Sequence, residues 1–298
     1  MPFLVELQQK MGSVRNTRKI TKAMELVAAS RMKQFQRKAS GSRTYAWSLL
    51  RALEQDVTTV HETPYGTART EGFVLFVLLT SDKGLCGALN QQLLRTLWRS
   101  PRWTSLSAED RRLFTIGKKG TEAATHQGVP VIGSADGLKE QLTVLEAMEV
   151  IDRILGYWDR GEAREIVLVA PHYVNPFVFH AQLKTYLPFS EEMIAEQTVH
   201  APEDARANLL KTGVAFHEPD QPRVRDVLAK QLIESLFLQA FFELKATEYS
   251  SRMVAMKNAS TAADELLKQL SLAFNKARQG AITQQLAELT GGSLALES

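Results

Sequence analysis

The chain has 298 residues, 44% of them hydrophobic and 23% charged, with a net charge of +3. That is enough chain for a sizeable core and an ordinary balance for a water-soluble fold. Its single cysteine, Cys86, excludes an internal disulfide, and the longest apolar run, Phe73 to Leu79, falls far short of a membrane span.

No proline lies between Pro2 and Pro64, and apolar residues keep helical spacing at Leu4, Leu7, Met11, Val14, Ile20, Met24, Val27 and Phe35. Leu49, Leu50, Leu53, Val57 and Val60 continue the pattern, which predicts a long N-terminal helix with a break near Gly41. The helix is strongly basic. From Lys10 to Arg51 the only acid is Glu25. Charge of one sign on one helix points to a solvated face or to an acidic partner.

Apart from Pro2, every proline lies from Pro64 to Pro222, and the stretch between them alternates strand and helix patterns. Phe73–Leu79 is a fully buried strand candidate. The polar loop Thr80 to Gly87 and a helix from about Asn90 follow it. Further strands are expected at Leu113 to Ile116, Val129 to Ile132, Ile166 to Ala170 and Phe177 to Tyr186. Helices are expected at Thr121 to Gln127 and Gln141 to Asp159. Strands alternating with helices predict a three-layer, mostly parallel α/β domain. Ser190 to Pro222 reads as a loop into the second arm.

From Leu228 to Ala281 small or apolar residues recur at alternating steps of three and four. The seam runs through Leu228, Leu232, Ser235, Gln239, Phe242, Ala246, Tyr249, Met253, Met256, Ser260, Ala263, Leu267, Leu270, Phe274, Ala277 and Ala281. A repeat near 3.5 residues sustained this long is a coiled-coil seam, and one continuous helix here would be on the order of 90 Å long. Its partner is the N-terminal helix. The fold class is therefore α/β, with a long antiparallel two-helix coiled coil formed by the terminal arms. The divisions are 1–63, an N-terminal coiled-coil helix, 64–222, the globular domain, and 223–298, the C-terminal helix. Setting the outer ends of the arms level places Met24 near Leu267 and Gly12 near Gly280, where two glycines would let the backbones approach closely.

Signatures of catalysis are missing. There is no phosphate loop of the Gly-x-x-x-x-Gly-Lys-Ser/Thr type, no Gly-x-Gly-x-x-Gly and no Gly-x-Ser-x-Gly elbow. The six histidines show no metal-ligand spacing. Gly117-Lys-Lys-Gly120 opens a helix after a strand, the place where phosphates bind, but a glycine turn there is usually only a turn. Three readings compete: an enzyme hidden in the middle, a basic helix that grips nucleic acid, and a stiff two-helix shaft on a globular base.

Four stretches carry a resemblance. Ser13-Val-Arg-Asn-Thr-Arg-Lys-Ile-Thr-Lys-Ala-Met24, running on through Val27-Ala-Ala-Ser-Arg-Met32, resembles the N-terminal helix of the gamma subunit of F-type ATP synthase. Ser81-Asp-Lys-Gly-Leu-Cys-Gly-Ala-Leu-Asn90 is similar to that family's loop after the first strand. Arg252-Met-Val-Ala-Met-Lys-Asn-Ala259 and Phe274-Asn-Lys-Ala-Arg-Gln-Gly-Ala-Ile-Thr283 resemble its C-terminal helix.

The resemblance implies a central-stalk rotor with no catalytic residue, cofactor or metal of its own. Its partners would be the alpha and beta subunits, whose hexamer bore it fills, the epsilon subunit and the membrane c-ring. No nucleic acid is implied, and membrane contact comes only through the complex. Arg278 and Gln279 would meet a loop of the beta subunit, with Thr283 nearby. Lys22, Met24 and Lys83 would lie near the lower beta segments, and Arg252 would couple the two helices. The implied location is the cytoplasmic side of a bacterial inner membrane. Gln285 stands where the family commonly has glutamate, Gly280 where it has alanine, and Gly12 interrupts a helix usually free of glycine.

Overall fold

The computed structural model describes residues 2–54, 63–138, 144–189 and 221–296. Eleven elements follow in order: α1 (Pro2–Glu54), β1 (Phe73–Leu79), α2 (Leu89–Trp98), α3 (Pro101–Thr104), β2 (Arg111–Ile116), α4 (Lys118–His126), β3 (Val131–Ala135), α5 (Val144–Asp159), β4 (Ala163–Asn175), β5 (Val178–Leu187) and α6 (Gln221–Leu296). The five strand expectations and the helices between them are found within a few residues. The expected continuations at Val57 and Val60 and the loop Ser190 to Asp220 lie outside the described residues. The chain divides into two compact units, 30–251 and 1–29 with 252–298.

In the larger unit the sheet order is β3-β2-β1-β4-β5, parallel except for β5, which runs antiparallel to β4. β1 sits at the centre, and Val74 to Leu79 are all buried. A strand covered on both faces has no polar side to keep, which is why its sequence is a continuous apolar run. One face carries α2, through Leu89, Leu93 and Leu97, and α3, whose Trp103 meets Phe76 edge-on at 4.9 Å. The other face carries α5 and residues 221–251 of α6. There Tyr186 packs on Phe237 at 6.2 Å and donates a hydrogen bond to the carbonyl of Ile233. Trp158 of α5 is fully buried and donates to the carbonyl of Pro64 at 2.9 Å.

Within the same unit α1 lies against α6. Phe35 stacks on Tyr249 with ring centroids 5.7 Å apart, and Arg43 pairs with Glu243 at 2.9 Å. Residues 243 to 250 of α6 are buried on every side. The helix is held between α1 and the sheet and has no free face. The break expected near Gly41 is absent. Helix α1 is continuous from Pro2 to Glu54, because one glycine costs a helix only about 1 kcal/mol and packing on either side outweighs that.

In the smaller unit the outer parts of α1 and α6 pair antiparallel along a narrow seam. Met256, Ser260, Ala263 and Leu270 of α6 are buried, as are Leu7 and Ala28 of α1. The Thr21 and Ser260 hydroxyls are 2.8 Å apart, and Arg18 forms an ion pair with Asp264. This register corrects the expected one. Met24 is level with Lys257, not Leu267, and Gly12 with Gln269, not Gly280. A side chain built on either glycine would meet nothing within 4 Å, so neither marks a close approach. The outer end of α6 runs on past the start of α1 instead of ending level with it. Ile20 and Val27 also depart from expectation, since each is 60% exposed. The seam passes through Thr21 and Ala28 beside them.

Candidate coupling site

The loop after β1 is built by its own side chains. Asn90 accepts a hydrogen bond from the Ser81 amide at 3.1 Å and donates to the Ser81 hydroxyl at 2.8 Å. Cys86 is buried beneath the loop, 3.4 Å from the Asn90 amide nitrogen. Lys83 and Leu85 stand exposed at its crown.

The same loop closes the start of α4. Gly117 has φ +91, and a Cβ there would fall 2.1 Å from the carbonyl oxygen of Thr80. Only glycine fits both the conformation and the space. The Thr80 hydroxyl accepts from the Gly120 amide at 2.8 Å, and the Ser81 carbonyl accepts from the Lys119 amide at 3.1 Å. Asp82 Oδ1 accepts from the Lys118 amide at 3.1 Å and from the Gly137 amide at 2.9 Å. A helix N-terminus favours an anion through its unpaired amides and its dipole. Here the protein's own carboxylate takes that place, so Gly117-Lys-Lys-Gly120 is a structural turn. The signal was invisible in sequence because Asp82 reaches partners 36 and 55 positions away.

Asp82 also faces α6. Its Oδ2 lies 3.9 Å from Lys245 Nζ, which is 3.2 Å from Glu248 Oε2 and 5.6 Å from the centre of the Phe241 ring. Lys245 and Glu248 are both buried. Two residues back, on a different side of the helix, Glu243 forms a second joint. Its carboxylate accepts from Arg43 of α1 at 2.9 Å and from Gln239 at 3.0 Å. It also meets His172 Nδ1 at 3.2 Å and accepts from the Tyr173 amide of β4 at 3.3 Å. Burial pushes the Glu243 carboxyl up, but the hydrogen bonds from His172, Gln239 and Arg43, with the Arg43 charge, overcome it and hold the group at about 2. A cavity of about 110 Å³, lined partly by Leu168, Lys184, Leu236 and Gln239, opens beside it.

The residues singled out by resemblance fall in separate places. Lys22 is exposed and pairs with Glu25 at 3.0 Å, while Met24 is half-buried and Arg252 is buried. Arg278, Gln279 and Thr283 are exposed on successive turns of α6, and the Thr283 hydroxyl donates to the Gln279 carbonyl at 3.0 Å. Lys83 belongs to the larger unit. They do not converge on a cleft. Sequence reasoning missed a second set. Ile20, Leu26 and Val27 of α1 and Leu266, Leu272, Ile282 and Leu286 of α6 are exposed apolar side chains of the smaller unit. Ile20, Val27, Leu266 and Ile282 each fall one residue off a seam position, at Thr21, Ala28, Leu267 and Ala281. Among the described residues no group of His, Cys, Asp and Glu could hold a metal ion, and no helix is long and apolar enough to cross a membrane.

This fold defines a class: an α/β domain inserted between two long terminal helices that pair antiparallel, as in rotary-motor stalks. A model of the ATP synthase family matches residues 4–296. An ATP synthase gamma chain of Methylococcus capsulatus is 35% identical over 98% of both chains, and one of Acidithiobacillus ferrooxidans is 33% identical over the same share. Among solved structures, a chain of the Euglena gracilis mitochondrial ATP synthase superposes with a TM-score of 0.65 over 99% of this chain and 95% of that one, at 18% identity. A central-stalk structure of Tetrahymena thermophila gives 0.59 over 81% and 99%, at 23%. The chain belongs to the ATP synthase gamma-chain family, the family of the central-stalk subunit. The nucleic-acid reading finds no support among these relatives.

Proposed function

We propose that the chain is the turning shaft of a rotary ATP synthase, carrying torque between a membrane c-ring and a hexamer of alpha and beta subunits. One observation carries the reading. The smaller unit closes its own seam and still presents exposed large apolar residues along both helices, among them Ile20, Leu26, Val27, Leu266, Leu272, Ile282 and Leu286. A helix pair with that surface is made to be surrounded. Inside a hexamer bore it acts as a ligand of the beta subunits. Its lopsided surface contacts their conformations unequally, so turning it shifts their populations in sequence. The basic face of α1 supplies unlike charge for acidic loops, which guides without fixing one angle.

In this reading Arg278 and Gln279 contact a beta-subunit loop with Thr283 nearby, Lys22, Met24 and Lys83 lie near the lower beta segments, and Arg252 couples the helices. The parts are 1–63 and 223–298 as shaft and 64–222 as base, the base resting on epsilon and the c-ring. The chain itself is not catalytic, and the complex sits at the cytoplasmic face of a bacterial inner membrane. The test is affinity purification from the native membrane through a tag on this chain. Recovery of alpha, beta, epsilon and c subunits supports the proposal, and their absence contradicts it. Salt-sensitive recovery of DNA would favour the basic-helix alternative.

A further inference from the structure

We infer that Asp82 and Lys245 form a register lock that keeps helix α6 from sliding or turning on the sheet, and that this lock makes Lys245 a positioning residue for torque transfer. The inference rests on the shaft reading above. Helix α6 otherwise meets the sheet largely through apolar side chains such as Leu232, Phe237 and Phe241. Apolar contact is non-directional and holds a helix down without selecting one rotation about its axis. Charged hydrogen-bonding groups do select one, because a small displacement leaves a buried charge without its partner.

Asp82 is suited to the task. Its Oδ1 is fixed by two backbone amides, Lys118 at the start of α4 and Gly137 after β3, while Oδ2 faces Lys245 at 3.9 Å. The carboxylate is thereby tied to the rigid edge of the sheet before it meets α6. Lys245 is held on its other side by Glu248 at 3.2 Å and by the Phe241 ring. Lys245 as a whole is only 6% exposed, so its Nζ has a fixed position inside the joint. Arg43, Glu243 and His172 make a second polar joint on the same helix. Glu243 and Lys245 are two residues apart, so the two polar ties leave α6 in directions about 200° apart and together define both its height and its rotation on the sheet.

The test uses the intact complex in membrane vesicles, measuring ATP hydrolysis and ATP-driven ion pumping together. Lys245→Met keeps the length and packing of the stem and removes the charge. It is expected to leave hydrolysis within about two-fold while the ratio of pumping to hydrolysis falls three-fold or more, since loss of one buried partner costs more than surface changes do. Lys245→Arg restores much of that ratio. Asp82→Asn keeps an acceptor for the two amides and weakens only the charge, so it lowers the ratio in the same direction. The double variant is no worse than the poorer single one. An unchanged ratio in Lys245→Met, with the variant assembled at the native subunit ratio, overturns the lock. Failure of the unaltered chain to assemble or pump overturns the shaft reading instead. If every variant merely lowers the amount of complex and the ratio stays constant, the cluster is structural only and the inference is wrong.

Discussion

The hydroxyls of Thr21 and Ser260 lie 2.8 Å apart, each on a seam of otherwise small or apolar residues. This contact marks the register of the two helices in the smaller unit. A pair of Thr21→Cys and Ser260→Cys is expected to cross-link within the chain under mild oxidation, because a disulfide forms only between close, facing residues. Met24→Cys with Leu267→Cys is expected not to. Non-reducing gels of the purified chain distinguish the two registers directly.

Glu243 gives the larger unit an acid sensitivity with a definite sign. Its folded carboxyl is held at about 2, below the 4.5 of a free glutamate, so the stabilisation it provides is complete above that unfolded value and is lost as pH falls toward the folded one. The contribution is on the order of 3 kcal/mol at neutral pH. Urea unfolding followed between pH 6 and pH 2 is expected to show that loss, and Glu243→Gln is expected to flatten it. Glu243→Ala, which leaves Arg43 and its neighbours without their carboxylate, is expected to cost about 3–5 kcal/mol at neutral pH.

The glycines separate into two kinds. Gly117→Ala drives a methyl group into the Thr80 carbonyl at a positive φ, and a loss of more than about 4 kcal/mol is expected. Gly280→Ala meets nothing within 4 Å on an exposed helix surface, and a gain of about 1 kcal/mol is expected. Thermal unfolding of the two variants reads both signs in one experiment.

The Arg18–Asp264 pair tests how much surface charge matters along the outer helices. Both side chains are nearly half exposed, so a double-mutant cycle to alanine is expected to give a coupling below about 1 kcal/mol, smaller still in high salt. A coupling of several kcal/mol would mean that this pair, and not the seam, holds the helices.

Much of the fold was legible because its patterns are local. The run Phe73 to Leu79 announces a strand buried on both faces, and Met256, Ser260, Ala263 and Leu270 announce a seam by spacing alone. The register was not legible, and the reason is physical. A seam repeating every three or four residues looks the same after such a shift, so spacing does not set the register: levelling the arms' ends puts Met24 beside Leu267, whereas the Thr21–Ser260 contact puts it beside Lys257. Ile20 and Val27 fit the helical spacing of the apolar residues on α1, but spacing alone does not say which face closes the pair. The seam itself passes through Thr21 and Ala28 at that level. The Asp82 joint was hidden for a different reason: its partners Lys118, Gly137 and Lys245 become neighbours only once the sheet has formed.

The central claim is that this chain turns inside a ring of partners and carries torque. Single-molecule rotation tests it most directly. The complex is anchored through its beta subunits, and a probe is attached to a cysteine introduced at Glu109, an exposed position of the larger unit between α3 and β2. On addition of ATP the account predicts stepwise rotation in one direction, slowed when Arg278 and Gln279 are both replaced by alanine. A probe that stays fixed relative to the beta subunits while they hydrolyse ATP would contradict it.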